Sequence, residues 1–156
     1  MPLKRLFKRA SSTEVTEPQT AMPDMASDAL LGVKLPNLEA AHNEYTELTS
    51  MVKAAISDQS PLTLSQDLIG KDDVCILGRW LYAEGGLRFS NNPAFIEARA
   101  AHKEFHHQAA RIVAMVNADT MESRAEAFSE LTAGGYAQSV KALKKALDKL
   151  ELAAAA

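Results

Sequence analysis

Apolar residues at Leu38, Ala41, Tyr45, Leu48, Val52 and Ile56 recur at the three- and four-residue intervals of a helix. Asn37, just after Pro36, is a good N-cap, so a first helix is expected from about residue 37 to about 57. Residues 58–70 break the period and read as a connection holding at most one helical turn. A short helix is expected over about 72–84, opened by the carboxylates of Asp72 and Asp73, which suit a helix N-terminus, and closed by Gly85-Gly86. Asn92-Pro93 then supplies an N-cap and a first-turn proline for a long helix reaching about residue 117. Its inward stripe is Phe95, Ala98, His102, Phe105, Ala109, Ile112 and Val116. A last helix is expected from about Thr120 toward Leu152, with Phe128, Leu131, Tyr136, Val140, Leu143, Leu147 and Leu150 facing inward. Gly134-Gly135 interrupts it, at a cost of roughly 1 kcal/mol for each glycine against alanine. No segment alternates as a strand does. The pattern predicts an all-α fold, an antiparallel four-helix bundle with a short second helix over residues 36–152, followed by a tail at 153–156.

Residues 1–35 lack such a period and carry Ser11-Ser12-Thr13, Pro18 and Pro23, the composition of a flexible, disordered arm. Its first ten residues differ, because Lys4, Arg5, Lys8 and Arg9 accompany Leu3, Leu6 and Phe7. Residues 1–10 therefore offer weak docking to an anionic membrane surface or a partner, against the plainer reading of a solvated, frayed terminus.

Composition narrows the function classes. Hydrophobic content of 47 % and charged content of 24 % are those of an ordinary soluble domain, and a net charge of -3 argues against a general nucleic-acid binder. No apolar run approaches the ~20 residues that cross a bilayer, and no secretory leader is seen, so a cytoplasmic setting is expected. The single cysteine cannot form an internal disulfide.

That cysteine draws attention for another reason. Cys75, with His42 and the pair His102 and His106, makes four potential ligands for a tetrahedral zinc ion, which takes thiolate and imidazole readily. His102 and His106 stand four apart, on one helix face. Taken singly, a histidine on an apolar stripe is usually a hydrogen-bonded core residue, and a lone cysteine a small hydrophobe. Burying three unligated histidines, however, leaves six ring nitrogens to satisfy. Cys75 falls in the first turn of its helix, where the dipole favours the thiolate. His107 points about 100° away from His106 and is a flanking residue.

Three neutral histidines and one thiolate leave Zn²⁺ with a net charge of plus one. A carboxylate accepting from the free N–H of a ligand imidazole would compensate it and fix the ring; the candidate is Asp72, with Asp73, Glu39 and Glu104 behind it, each of them equally readable as a cap or surface charge. Gly78, which admits a close neighbour, and Trp80, a packing anchor, are assigned structural roles.

The motifs His42-Asn-Glu-Tyr45, Cys75-Ile-Leu-Gly78-Arg79-Trp80-Leu81-Tyr82 and His102-Lys-Glu-Phe105-His106 together resemble the chemoreceptor zinc-binding (CZB) domain family over roughly residues 37–150. The resemblance implies a bacterial cytoplasmic four-helix bundle, often a homodimer, in which His42, Cys75, His102 and His106 hold zinc. Family members are usually fused to chemoreceptors or diguanylate cyclases, whose output responds to zinc occupancy or to oxidation of the ligand cysteine. This sequence shows neither a long heptad hairpin nor a cyclase motif. The expectation is a non-enzymatic zinc sensor acting in trans on an unknown protein partner, such as a chemoreceptor or a cyclic-di-GMP signalling protein, with no nucleic acid involved. The alternative is a structural adaptor in which zinc only staples the fold. A metalloenzyme ranks lowest, since four protein ligands leave no open position.

Overall fold

The computed structural model describes residues 38–57 and 64–156. Among the described residues, seven helical segments follow one another: α1 Leu38–Ile56, α2 Gln66–Ile69, α3 Ile76–Tyr82, α4 Glu84–Phe89, α5 Pro93–Ala118, α6 Met121–Thr132 and α7 Gly135–Ala155. There is no strand among the described residues, and the fold is an all-α helical bundle. The N-terminal arm, its basic first ten residues and Asn37 lie outside the described residues.

α5 is the hub. Asn92 caps it by accepting from the Ala94 N–H at 2.8 Å with Pro93 at the first helical position, and its far end closes on Asp119 in the left-handed conformation (φ 54°). The predicted stripe from Phe95 to Val116 is buried, joined by Val113 and His106. Its broadest partner is α7, which buries Tyr136, Leu143, Ala146, Leu147 and Leu150. α6 packs on both, and α1 rests more thinly against α3, α5, α6 and α7. Tyr136 ties α7 to α1: the Thr49 hydroxyl donates to the Tyr45 carbonyl at 2.7 Å, so the buried Tyr136 O–H donates to Thr49 Oγ1, also at 2.7 Å.

The short helix opens at Ile76 with Cys75 as its N-cap, so Asp72 and Asp73 stand in the loop before it and not in its first turn, and two further expectations need correction. Gly85-Gly86 does not end the short helix. The break comes earlier, at Ala83, and both glycines lie inside α4. Gly85 is there because the Trp80 indole lies against it; a Cβ at residue 85 would come within 2.6 Å of the ring. Trp80 packs in turn on Phe89 and Phe95, with ring centroids 6.1 and 6.0 Å away. The second correction concerns the last helix, which is two. α6 begins at Thr120, whose side chain closes a capping box with Ser123, and α7 restarts at Gly135 in a new phase. Phe128 is therefore 55 % exposed, while Ala127 is the buried residue of α6. α7 itself runs to Ala155, through most of the stretch expected as a tail.

Candidate metal site

The approach to Cys75 is built by a tight loop. Gly78 is required there: a Cβ on it would stand 2.0 Å from the Asp72 carbonyl, so the incoming chain can fold back over the start of α3 only at a glycine. The close neighbour is this chain's own preceding turn and not another helix. Cys75 is the N-cap of α3, and its Sγ accepts from the Gly78 N–H at 3.2 Å. That bond favours the thiolate, as a helix start should, yet the thiol is not acidified. Burial pushes its pKa above the ordinary value; the Gly78 N–H pulls it down, and the Glu44 charge pushes it up again. Burial wins, and a nearby cation is what would reverse it.

His102 and His106 project from one face of α5, ring centroids 4.6 Å apart, and both are buried. The Cys75 Sγ lies 3.1 Å from His102 Nε2, and the two Nε2 atoms are 3.2 Å apart. All three donors fall within 4.8 Å of one another. Tetrahedral zinc with these ligand types separates its donors by roughly 3.3–3.6 Å, so the Cys75–His102 and His102–His106 separations each need to open by only a few tenths of an ångström to suit the ion.

Protonation is set correctly as well. The carbonyl of Ile69, at the end of α2, can only accept, so the 2.6 Å contact from His106 Nδ1 places the proton on Nδ1 and leaves the Nε2 lone pair facing the cluster. His102 is held neutral: its pKa falls to about 4, chiefly by burial and then by His106, with Asp72 acting in the opposite sense. A neutral imidazole is the form that binds metal. His102 Nδ1 is buried with no hydrogen-bond partner, an orphan that a purely structural histidine seldom tolerates.

The structure thus brings together Cys75, His102 and His106. His42 is not in the cluster. It stands on α1 with its ring 5.3 Å from that of Tyr45, and its Nε2 is buried without a partner. Asp72 lies close enough for His102 to feel its charge, but its Oδ2 accepts from the Tyr82 hydroxyl at 2.6 Å. Glu104 accepts from Gln108, and His107 stands exposed beside it. Three contributors carried no assigned role in the sequence reading. The Ile69 carbonyl is backbone and has no side-chain signature. Tyr82 was visible only as part of a motif, and Glu44 only as the third residue of His-Asn-Glu-Tyr.

Glu44 lines a mainly apolar cleft of about 210 Å³ together with Tyr45, Cys75, Leu77, His102 and His106. Its Oε1 accepts from the Ile76 N–H at 3.3 Å, so a carboxylate is fastened beside the thiol.

No described helix is long and apolar enough to cross a membrane. No curated protein and no solved structure matches the chain. Residues 46–113 match the family model of the chemoreceptor zinc-binding domain, a span that contains Cys75, His102 and His106 and begins four residues beyond His42. Zinc is the cofactor to which the matching family model and the three converging donors both point, and residues 46–113 are similar to the chemoreceptor zinc-binding domain.

Proposed function

We propose that this is a cytoplasmic zinc-dependent regulatory domain, a binding module and not a catalyst, whose zinc state is passed in trans to a separate signalling protein. The observation that carries the reading is the convergence of Cys75 Sγ, His102 Nε2 and His106 Nε2 from two different segments onto one point. Bound there, zinc supplies a cross-link between the start of α3 and the middle of α5. Its loss frees the loop and the very start of α3, and with them the surface that carries Val74 and Ile76, both more than 40 % exposed. The partner is a chemoreceptor or a cyclic-di-GMP signalling protein, and the domain works as a homodimer. The family match and the site support this reading; the partner rests on the resemblance alone.

The cysteine gives the domain a second input. A peroxide or hypochlorous acid transfers one oxygen to the Cys75 thiolate, forming a sulfenic acid, while the oxidant is reduced to water or chloride. The oxidised sulfur is a poorer ligand, and with one cysteine in the chain the way back runs through an external thiol. The outer partner of His102 in this reading is Asp72. Its carboxylate turns from the Tyr82 hydroxyl to the orphan Nδ1 when that nitrogen carries a proton.

Elemental analysis of the purified protein tests the function. About one zinc per chain is expected in the wild type, with loss or marked weakening in both Cys75→Ala and His106→Ala. Wild-type protein that takes up no zinc under any loading condition overturns the reading. A structural adaptor would hold the same zinc, but neither chelator nor oxidant would then alter partner binding.

A further inference from the structure

The cleft along α1 extends well past the three donors and is more apolar than a metal site requires. Its further wall is made by Ala41, Leu48, Met51, Ile69, Phe105 and Leu143. On the α1 side stand two carboxylates, Glu44 and the exposed Glu47, and Asp148 of α7 is near enough for its charge to act on Tyr45 in the same wall. Among the described residues the lining holds no lysine or arginine. A hollow of this kind suits a ligand that is apolar at its centre and positively charged on both sides. An apolar cavity of roughly 150 Å³ accepts a benzene ring, so a cleft of about 210 Å³ has room for a phenyl side chain.

The chain itself carries a segment of that composition. Lys4-Arg5-Leu6-Phe7-Lys8-Arg9 sets two apolar residues between two basic pairs. Arg9 is separated by 28 residues from Leu38, where α1 begins. Taken as a random coil, that many residues span about 30 Å, which exceeds the ~20 Å from the start of α1 to Met51. Tethering at such a length gives an effective concentration on the order of millimolar, so a segment of weak intrinsic affinity still occupies its site for much of the time.

We propose that residues 4–9 dock in this cleft, with Leu6 and Phe7 against Leu48, Met51 and Phe105 and the basic pairs beside Glu44 and Glu47. The docked segment covers the approach to Cys75 and so governs how fast a thiol reagent reaches the sulfur. Because the contact is partly ionic, added salt releases it. The proposal goes beyond the zinc reading and concerns the cleft alone, and its test uses metal-stripped protein.

A full chain carrying p-benzoylphenylalanine in place of Phe7 tests the placement, since the photoactivated ketone inserts into neighbouring C–H bonds. Irradiation of dilute protein is expected to link residue 7, within one molecule, to residues 41–51 or to Phe105, as mapped by mass spectrometry. Glu47→Lys lowers the yield at least about threefold, while Glu122→Lys, at the start of α6 and outside the cleft lining, leaves it unchanged. In parallel, removing residues 2–10 speeds alkylation of Cys75 by iodoacetamide about threefold, the factor for a cover in place roughly two thirds of the time. No link, links elsewhere in the chain, or links only between two copies overturn the proposal, as does an alkylation rate that the deletion leaves unchanged. Failure of the protein to take up zinc would bear on the metal site and not on this docking, so the two failures are separable.

Discussion

At the scale of single residues, the site is held by contacts that tolerate little change. Gly78→Ala sets a methyl group against the Asp72 carbonyl, backbone that cannot swing aside as a side-chain end would. The loop must open, and a loss of roughly 2–4 kcal/mol in stability is expected, together with weaker zinc binding because Cys75 moves with the loop. Equilibrium urea unfolding and chelator competition check both halves. His102 gives the metal-free protein a pH signature of known sign. Its folded pKa of about 4 lies below the ordinary 6.5, so between these values the unfolded chain binds a proton that the folded chain refuses. This contribution is fully present above about pH 6.5, is lost as the pH falls, and levels off below about 4. Comparing the denaturation midpoints of metal-stripped wild type and His102→Asn across that range isolates it, and equal slopes would refute it. Three donors of this site could be read from residue type and spacing, because the i, i+4 pair fixes two directions at once and the cysteine stands at a helix start. His42 could not be placed in the same way: one residue on a stripe edge does not determine how its helix is rotated against the others.

At the scale of elements, period and punctuation located the long helices to within a residue or two, and failed where tertiary contact overrode a local signal. Asn92-Pro93 fixed the start of α5 because an N-cap and a proline act through local geometry alone. Gly85-Gly86 looks like a helix stop, but one of the two glycines is present for the Trp80 ring, a contact that the sequence does not display. Phe128 was placed inward by extending one stripe through Gly134-Gly135, and the restart of the helix there shifted the phase. The loop before α3 shows the same limit from another side. Its turn serves Gly78 and Cys75, while the carbonyl that orients His106 comes from α2, a single turn capped by Ser65 and seated on α5. α3 is therefore less an independent element than a carrier for one ligand, oriented by the turns on either side of it.

At the scale of the whole molecule, the bundle divides into a core that does not need the metal and a rim that does. α5 and α7 bury Ala109, Ile112, Val113, Leu143, Leu147 and Leu150 against one another, remote in sequence from Cys75. α2 and the loop that follows it have little such burial, since α2 includes no buried residue, whereas α3 sets Leu77, Trp80 and Leu81 into the core. Zinc links this rim to the core through Cys75 and the pair on α5. Binding to the folded state alone adds stability by mass action, ~2.7 kcal/mol when free zinc is a hundredfold above its dissociation constant, and most of that is spent locally. Hydrogen exchange should resolve the division. On chelation, amides in residues 66–76 are expected to exchange at least about tenfold faster, while those of residues 105–116 and 139–150 keep their protection. A uniform acceleration over the whole chain would mean that zinc holds the global fold, as an adaptor's staple would. Acceleration confined to the rim leaves the core as a fixed platform and makes the loop and first residue of α3, with exposed Val74 and Ile76, the surface whose order a partner can read.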